Sequence, residues 1–192
     1  MKYILAVDLA LSNLGWCLVE PRSFPDLQDA CIPVEWGTVK TEKTKNKMAK
    51  ISNDKVDRGK KLGSFLYQML RREDVLGAVV ELPPGGTQSS AAASGLGIAT
   101  GVMAMCELLT EKPVEYYDPK DVKLTATGKK NASKNEMMDR CAEAYPGVQW
   151  PRHASGKNKG KFLVGEFEHI ADAVFTAWTA RNNFLFRMAI NA

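Results

Sequence analysis

The sequence has few of the residues that build thiolate metal sites or disulfide frameworks. Its four cysteines, Cys17, Cys31, Cys106 and Cys141, are widely separated and form no Cys-x-x-Cys pair. This distribution argues against a zinc site and against a small disulfide-stapled domain. It indicates reduced thiols in a cytoplasmic protein.

Long hydrophobic runs are also missing. The opening stretch MKYILAVDLALS is interrupted by Asp8 and is followed by no small-residue cleavage site, so we expect no signal peptide. Residues 82–106 carry no charge but consist mainly of Gly, Ala, Ser, Thr and Pro. That composition is too weakly hydrophobic for a membrane span, and we expect no membrane association.

The net charge is only +4, but its distribution along the chain is uneven. Residues 40–61 hold nine Lys and Arg against three acids, residues 119–134 hold five Lys against one acid, and residues 152–161 hold four basic residues and no acid. These stretches can be solvated loops. They can equally form a surface for a polyanion, because clustered Lys and Arg gain affinity by releasing condensed counterions.

Hydrophobic periodicity predicts three strands, then alternating helices and strands. The predicted strands are 2–8, 15–19, 34–40, 75–81 and 114–117, and the predicted helices are 56–72, 89–110, 134–144 and 166–178. Gly97 and Gly101 in the second helix are expected to allow close approach to the sheet. This order predicts an α/β fold, a mixed five-stranded sheet with helices on both faces, in one domain spanning residues 1–192.

Four acidic or imidazole side chains stand out in this arrangement. Asp8 and Glu81 each end an apolar strand, and parallel neighbours would bring both acids to the same carboxyl edge of the sheet. His169 and Asp172 share one face of the last helix. A helical His-x-x-Asp pair alone is also explained by a solvated or core-capping pair, and a strand-end acid by the start of a loop.

Convergence of the three carboxylates would favour a bound cation. Two carboxylates about 4 Å apart repel by roughly 4 kcal/mol at an effective dielectric of 20. A divalent cation relieves this repulsion, and oxygen ligands with one imidazole suit Mg²⁺ or Mn²⁺. Two such ions would clamp the attacking and leaving oxygens of a phosphodiester. His169 would then either bind an ion or orient the water.

Four segments together resemble the motifs of RuvC-type Holliday junction resolvases, in the ribonuclease H-like superfamily. Asp8 with Gly15-Trp16 (D-x6-GW) resembles their first motif, and VVE at 79–81 resembles their second acidic strand. DPKDVKLTATGKKNASK at 118–134 resembles their lysine-bearing segment, and EHIADA at 168–173 resembles their closing motif. The first motif departs from the usual Asp-Pro-Gly, since Leu9-Ala10 follows Asp8. No aromatic residue follows Glu81 closely, which indicates a divergent branch of phage or organellar type.

The resemblance implies a Mg²⁺-dependent endonuclease of DNA recombination and repair, with two ions per site and Mn²⁺ as a substitute. It implies a homodimer that nicks two symmetric strands of a four-way junction and other branched DNA. The implied catalytic and metal-binding set is Asp8, Glu81, His169 and Asp172. The expected DNA contacts are Lys120, Lys123, Lys129, Lys130, Lys134 and, on the first helix, Arg58.

Two other functions fit parts of the pattern. An actin-like ATPase or sugar kinase also opens with a strand-end Asp and a β-hairpin, but it needs two copies of the fold. A non-catalytic junction-binding module would share the basic segments and leave the acids structural. Metal-dependent nicking separates this module from the nuclease.

Overall fold

The computed structural model of the chain describes residues 1–23, 26–46, 48, 50–83 and 89–191. The loop expected at 83–86 lies outside these residues except for Pro83.

One mixed five-stranded sheet organises the described chain. Its strands stand in the order β3-β2-β1-β4-β5. β1 pairs antiparallel with β2, and β2 with β3, whereas β1–β4 and β4–β5 are parallel. The strands are β1 Tyr3–Asp8, β2 Asn13–Pro21, β3 Cys31–Lys40, β4 Val75–Glu81 and β5 Val114–Tyr117.

Helices cover both faces of this sheet, which confirms the predicted α/β fold class with a mixed five-stranded sheet. They are α1 Leu27–Ala30, α2 Ile51–Leu70, α3 Ser90–Thr110, α4 Pro119–Thr127, α5 Lys134–Ala144, α6 Val164–Ala180 and α7 Phe184–Ile190. Successive side chains along β1 and β4 point to opposite faces of the sheet and contribute to two separate hydrophobic cores. Ile4, Ala6 and Val79 pack with α4–α7 on one face. Leu5, Val7 and Val80 pack with α2 and α3 on the other.

The predicted element order is incomplete in three places. It omits α1, which is a single turn, and α4, which begins with Asp118 as its N-cap and Pro119 as its first residue. It also omits α7, whose Asn183 side chain accepts a hydrogen bond from the Phe186 amide. The first long helix begins at Ile51 rather than 56, because its first turn is polar and has no apolar periodicity to reveal it.

The prediction that Gly97 and Gly101 bring α3 close to the sheet is wrong. A Cβ added at either position would meet nothing within 4 Å, so both glycines face outward. α3 is buried only through Ala99, Met103 and Cys106. By length and composition alone, α3 is also apolar enough to cross a membrane, whereas the sequence analysis predicts that residues 82–106 are too weakly hydrophobic to do so.

Candidate active site

The two strand-end acids lie side by side at the carboxyl edge of the parallel pair. Asp8 on β1 is in register with Glu81 on β4, and on its other side with Gly15 on β2. Side chains alternate along a strand, so Asp8 points to the same face as Ile4 and Ala6, the face covered by α6. Glu81 points to the same face because Val79 does. The sequence-based expectation that both acids share one edge is confirmed.

Gly15, Asp8 and Glu81 lie in register on three neighbouring strands, and α6 crosses them at very short range. A Cβ added to Gly15 would lie 2.1 Å from the main-chain oxygen of His169 and 2.7 Å from its Cβ. Only a glycine at this point of β2 lets the helix backbone approach the sheet so closely. The close crossing puts the His169 side chain directly above the Asp8 carboxylate.

His169 contacts acids through both ring nitrogens. Its Nδ1 lies 2.7 Å from Asp8 Oδ2, and its Nε2 lies 3.4 Å from Glu168 Oε1. The hydrogen bond to Asp8, followed by the nearby negative charges, raises the pKa of the imidazole above its ordinary value despite partial burial. The two partners are 161 positions apart in the sequence, so this contact is created only by folding.

Glu81 and Asp172 are half-buried acids that interact with each other and with Asp8. Burial raises the pKa of the Glu81 carboxyl well above its usual range, and the charges of Asp172 and Asp8 raise it further. Burial also raises the pKa of Asp172, followed by the charge of Asp8. His169 and Lys123 oppose this shift at Asp172 without cancelling it. The cations of the site therefore do not compensate the charge that its carboxylates would carry when ionised.

This cluster of half-buried carboxylates with too little positive charge beside it is the property that fits a divalent cation. Asp8, Glu81 and Asp172 supply hard oxygen ligands and His169 supplies one nitrogen, a donor set suited to Mg²⁺ or Mn²⁺. Among the described residues, no group of three or more acids, histidines or cysteines is arranged so that it could hold a metal ion. The Asp8–His169 hydrogen bond engages two of the atoms that would turn toward an ion.

Two of the six expected DNA-contact residues lie beside the acids. Lys123 on α4 is half-buried, and its charge acts on both Glu81 and Asp172. Lys134 begins α5, and its Nζ lies 2.8 Å from Glu168 Oε2 while the lysine side chain stays 73% exposed. Both ammonium groups therefore interact electrostatically with the acids of the site.

The other four expected contacts lie elsewhere. Lys120 and Lys130 are exposed, and Lys129 pairs with Glu136 of the α5 capping box at 2.7 Å. Arg58 does not have the exposed guanidinium expected of a backbone contact. It is 7% exposed and donates to Thr41 Oγ1 at 3.0 Å and Ser12 Oγ at 2.6 Å.

Glu168 and Gly15 belong to the site but are not among the site residues predicted from the sequence. Glu168 lies between Lys134 and His169 with its side chain only 12% exposed. Its position four residues before Asp172, on one helix face, was the available signal. Gly15 was visible as part of a motif, but which helix lies against it depends on the tertiary structure.

Comparison with known proteins gives a consistent fold. No protein-family model and no curated protein matches the chain. The structure is similar to Thermus thermophilus RuvC in complex with a Holliday junction substrate, with a TM-score of 0.69 and 20% identity over 99% of this chain and 98% of that one. A second Thermus thermophilus RuvC structure gives a TM-score of 0.65 and 19% identity over 93% of this chain and 92% of the other.

The yeast mitochondrial Holliday junction resolvase Ydc2 is also similar. It has a TM-score of 0.60 and 12% identity, with 99% of this chain and 82% of that chain covered. A bacterial and a mitochondrial protein thus share nearly the whole architecture described above. The chain has the fold of the RuvC-type Holliday junction resolvases.

Proposed function

We propose that this protein is a divalent-metal-dependent endonuclease that cleaves four-way and other branched DNA. The observation that supports it is the row formed by Asp8 and Glu81 at one sheet edge, with His169 and Asp172 above it on α6. Four side chains from three distant parts of the sequence form one acidic centre. The fold neighbours are Holliday junction resolvases, which supports the same substrate class.

Each group in the centre has a separate task in this proposal. Asp8 is central and would contact two ions, Glu81 would hold one of them, and Asp172 with His169 would hold the other. Two bound Mg²⁺ ions would supply an activated water and neutralise charge on the scissile phosphate. Lys123 and Lys134 would bind the phosphate backbone. The hydrogen bond between Asp8 and His169 would open as both side chains turn toward an ion.

Cleavage of labelled DNA tests this function directly. Four-way, forked and linear duplexes are incubated with and without Mg²⁺, and products are resolved on a denaturing gel. We expect Mg²⁺-dependent nicks in branched DNA that disappear in Asp8→Asn and Glu81→Gln while junction binding is retained. Glu143→Gln, which removes an exposed acid on α5, is the matched control and should cleave normally. Junction binding without nicking by the unmodified protein would instead indicate a non-catalytic module.

The outer face of α3, formed by Gly97, Gly101, Ala104 and Leu108, supports a homodimer. Leu108 is 69% exposed, and Glu107 is the only charged residue of the helix. Small residues at spacings of three and four let two helices approach closely. A second copy of α3 would cover this apolar face, and a two-fold dimer would present two acidic centres to a symmetric junction.

The oligomeric state tests the α3 interface. Light scattering after size exclusion should give twice the 21.1 kDa chain mass for the unmodified protein and a single-chain mass for Leu108→Lys. Met188→Lys changes a comparably apolar, 40% exposed residue on α7 and should stay dimeric. A monomer in every case, or a dimer in Leu108→Lys, would contradict the proposed interface.

A further inference from the structure

A short chain of polar contacts runs from the protein surface to the imidazole of the candidate site. The Nζ of Lys134 lies 2.8 Å from Glu168 Oε2, and the other oxygen of that carboxylate, Oε1, lies 3.4 Å from His169 Nε2. The second ring nitrogen of His169, Nδ1, lies 2.7 Å from Asp8 Oδ2. Glu168 therefore contacts the ring nitrogen that points away from Asp8.

The main chain around Glu168 and His169 is fixed by the core of the domain. Phe167 and Ile170, on either side of the pair, are 0% and 1% exposed. Phe167 also stacks on Trp150, with the ring centroids 5.1 Å apart. Because this packing prevents α6 from rolling, the imidazole can change its orientation only by rotating about its own side-chain bonds. The contacts at its two nitrogens restrict that rotation.

The carboxylate of Glu168 is less exposed than the carboxylates of other lysine pairs in the structure. Its side chain is 12% exposed, whereas the acids of the Lys40–Glu166 and Lys129–Glu136 pairs are 33% and 44% exposed. Withdrawing a carboxylate from water costs free energy, and an ion pair with an exposed lysine offsets little of that cost. The placement of Glu168 is explained if its carboxylate serves the imidazole.

The two acids that contact His169 differ in what they would do when an ion binds. Asp8 would turn toward the ion, whereas Glu168 lies at the opposite nitrogen and can stay in place. A histidine that binds a metal through one nitrogen usually donates the N–H of the other to a carboxylate or a carbonyl, which fixes the orientation of the ring and raises its basicity. In this site Glu168 is placed to accept from Nε2, and Nδ1 is left to face the ion or its water.

We propose that Glu168 is a positioning residue, which holds the Nε2 side of the His169 imidazole and is itself held by Lys134, so that Nδ1 faces the acidic centre. The inference rests on the proposed nuclease function and adds to it a residue that acts only through His169. Removing Glu168 should therefore change the orientation of a ligand without removing one.

Imidazole NMR of the metal-free protein measures this orientation directly. The chain has only two histidines, so His153→Gln identifies the ¹⁵N signals of His169. We expect a slowly exchanging Nε2–H signal of His169 that Glu168→Ala abolishes through exchange with solvent and that Glu168→Gln, which keeps an acceptor oxygen, restores. Glu166→Ala breaks the Lys40 pair on the same helix and is the matched control, which should leave the signal unchanged. An unprotected Nε2–H in the unmodified protein, or a protected one in Glu168→Ala, would overturn the proposal.

The affinity for Mn²⁺, measured by calorimetry, tests whether Glu168 acts through His169. Loss of an outer-shell partner typically weakens metal affinity about 10–100-fold. We expect Glu168→Ala to weaken Mn²⁺ binding by this factor when His169 is present and to have no effect in the His169→Ala background. An equal loss in both backgrounds would mean that Glu168 binds the ion itself and would overturn the positioning role. Unchanged affinity with lower stability in urea would reduce Glu168 to an ion-pair partner of Lys134 and overturn it as well.

Failure of this proposal and failure of the nuclease function give different results. A protein that nicks junctions with Mg²⁺, but whose imidazole signal does not depend on Glu168, is a nuclease without this positioning contact. A protein that nicks no DNA, but whose protected Nε2–H signal is lost in Glu168→Ala, has the positioning contact without the nuclease function.

Discussion

The closest contact of the candidate site, between Gly15 and α6, gives the sharpest prediction. Gly15→Ala places a Cβ 2.1 Å from the His169 main-chain oxygen where ordinary contact begins at 3.4 Å, so α6 must withdraw by the difference, about 1.3 Å. The move separates His169 from Asp8, now 2.7 Å apart. A misplacement of about 1 Å in a catalytic group can lower a rate about 100-fold.

Two readouts distinguish misplacement from simple destabilisation. Overpacking of this kind typically costs about 1–3 kcal/mol, measured by urea unfolding. Nicking is therefore followed well below the unfolding transition, where the variant remains folded, and we expect the rate to fall about 100-fold there. Gly165→Ala, on the first turn of α6 with open space around it, is the matched control and should keep both stability and rate. A Gly15→Ala protein with normal nicking and normal stability would refute the proposed helix placement.

Four further predictions concern charge. Glu81→Gln should raise stability at neutral pH without metal by up to about 3 kcal/mol, because the parent must keep this carboxyl protonated in the folded state at a cost of about 1.4 kcal/mol for each pH unit above its ordinary pKa, and it should weaken stabilisation by Mg²⁺; a lower melting temperature than the parent would contradict this. Because burial raises the folded-state pKa of Glu81, the folded protein binds more protons than the unfolded one above pH 4.5, the ordinary value for this group; stability without metal should therefore fall as pH rises from 4.5 toward neutrality, and less so in Glu81→Gln. Arg58→Met should lose about 3 kcal/mol in urea unfolding because it removes the charged hydrogen bonds to Thr41 and Ser12 and the ion pair with Asp54, whereas the exposed Lys60→Met should change stability by less than about 0.5 kcal/mol. Lys134→Met should lower the salt dependence of junction binding by about one phosphate contact, and an unchanged salt slope would remove Lys134 from the interface.

Local pattern was sufficient for most of the sheet. β4 and β5 were predicted at their observed bounds, because apolar runs bounded by turn residues have few alternatives. The α5 start at Lys134 was equally predictable, since the Ser133–Glu136 capping box needs only four consecutive residues. The polar first turn of α2 and the short α7 lacked such a signal, and both were missed.

The candidate site was predictable in part for the same reason. Asp8 and Glu81 end strands, and parallel pairing brings strand ends together whatever the rest of the chain does. The partner of His169 was not predictable in the same way, because it depends on the angle and height at which α6 crosses β2. That height is set by the missing side chain of Gly15.

The sequence by itself determined the order of the strands along the chain and the identity of the acids that end them, because backbone propensity and hydrophobic alternation act over a few residues. Only the tertiary structure decided that Arg58 is buried, that Gly97 and Gly101 face outward, and that a cavity lies beside the acids. Each of these depends on which surfaces of two elements meet. That choice is made by packing across the whole domain, where no single segment contains the information.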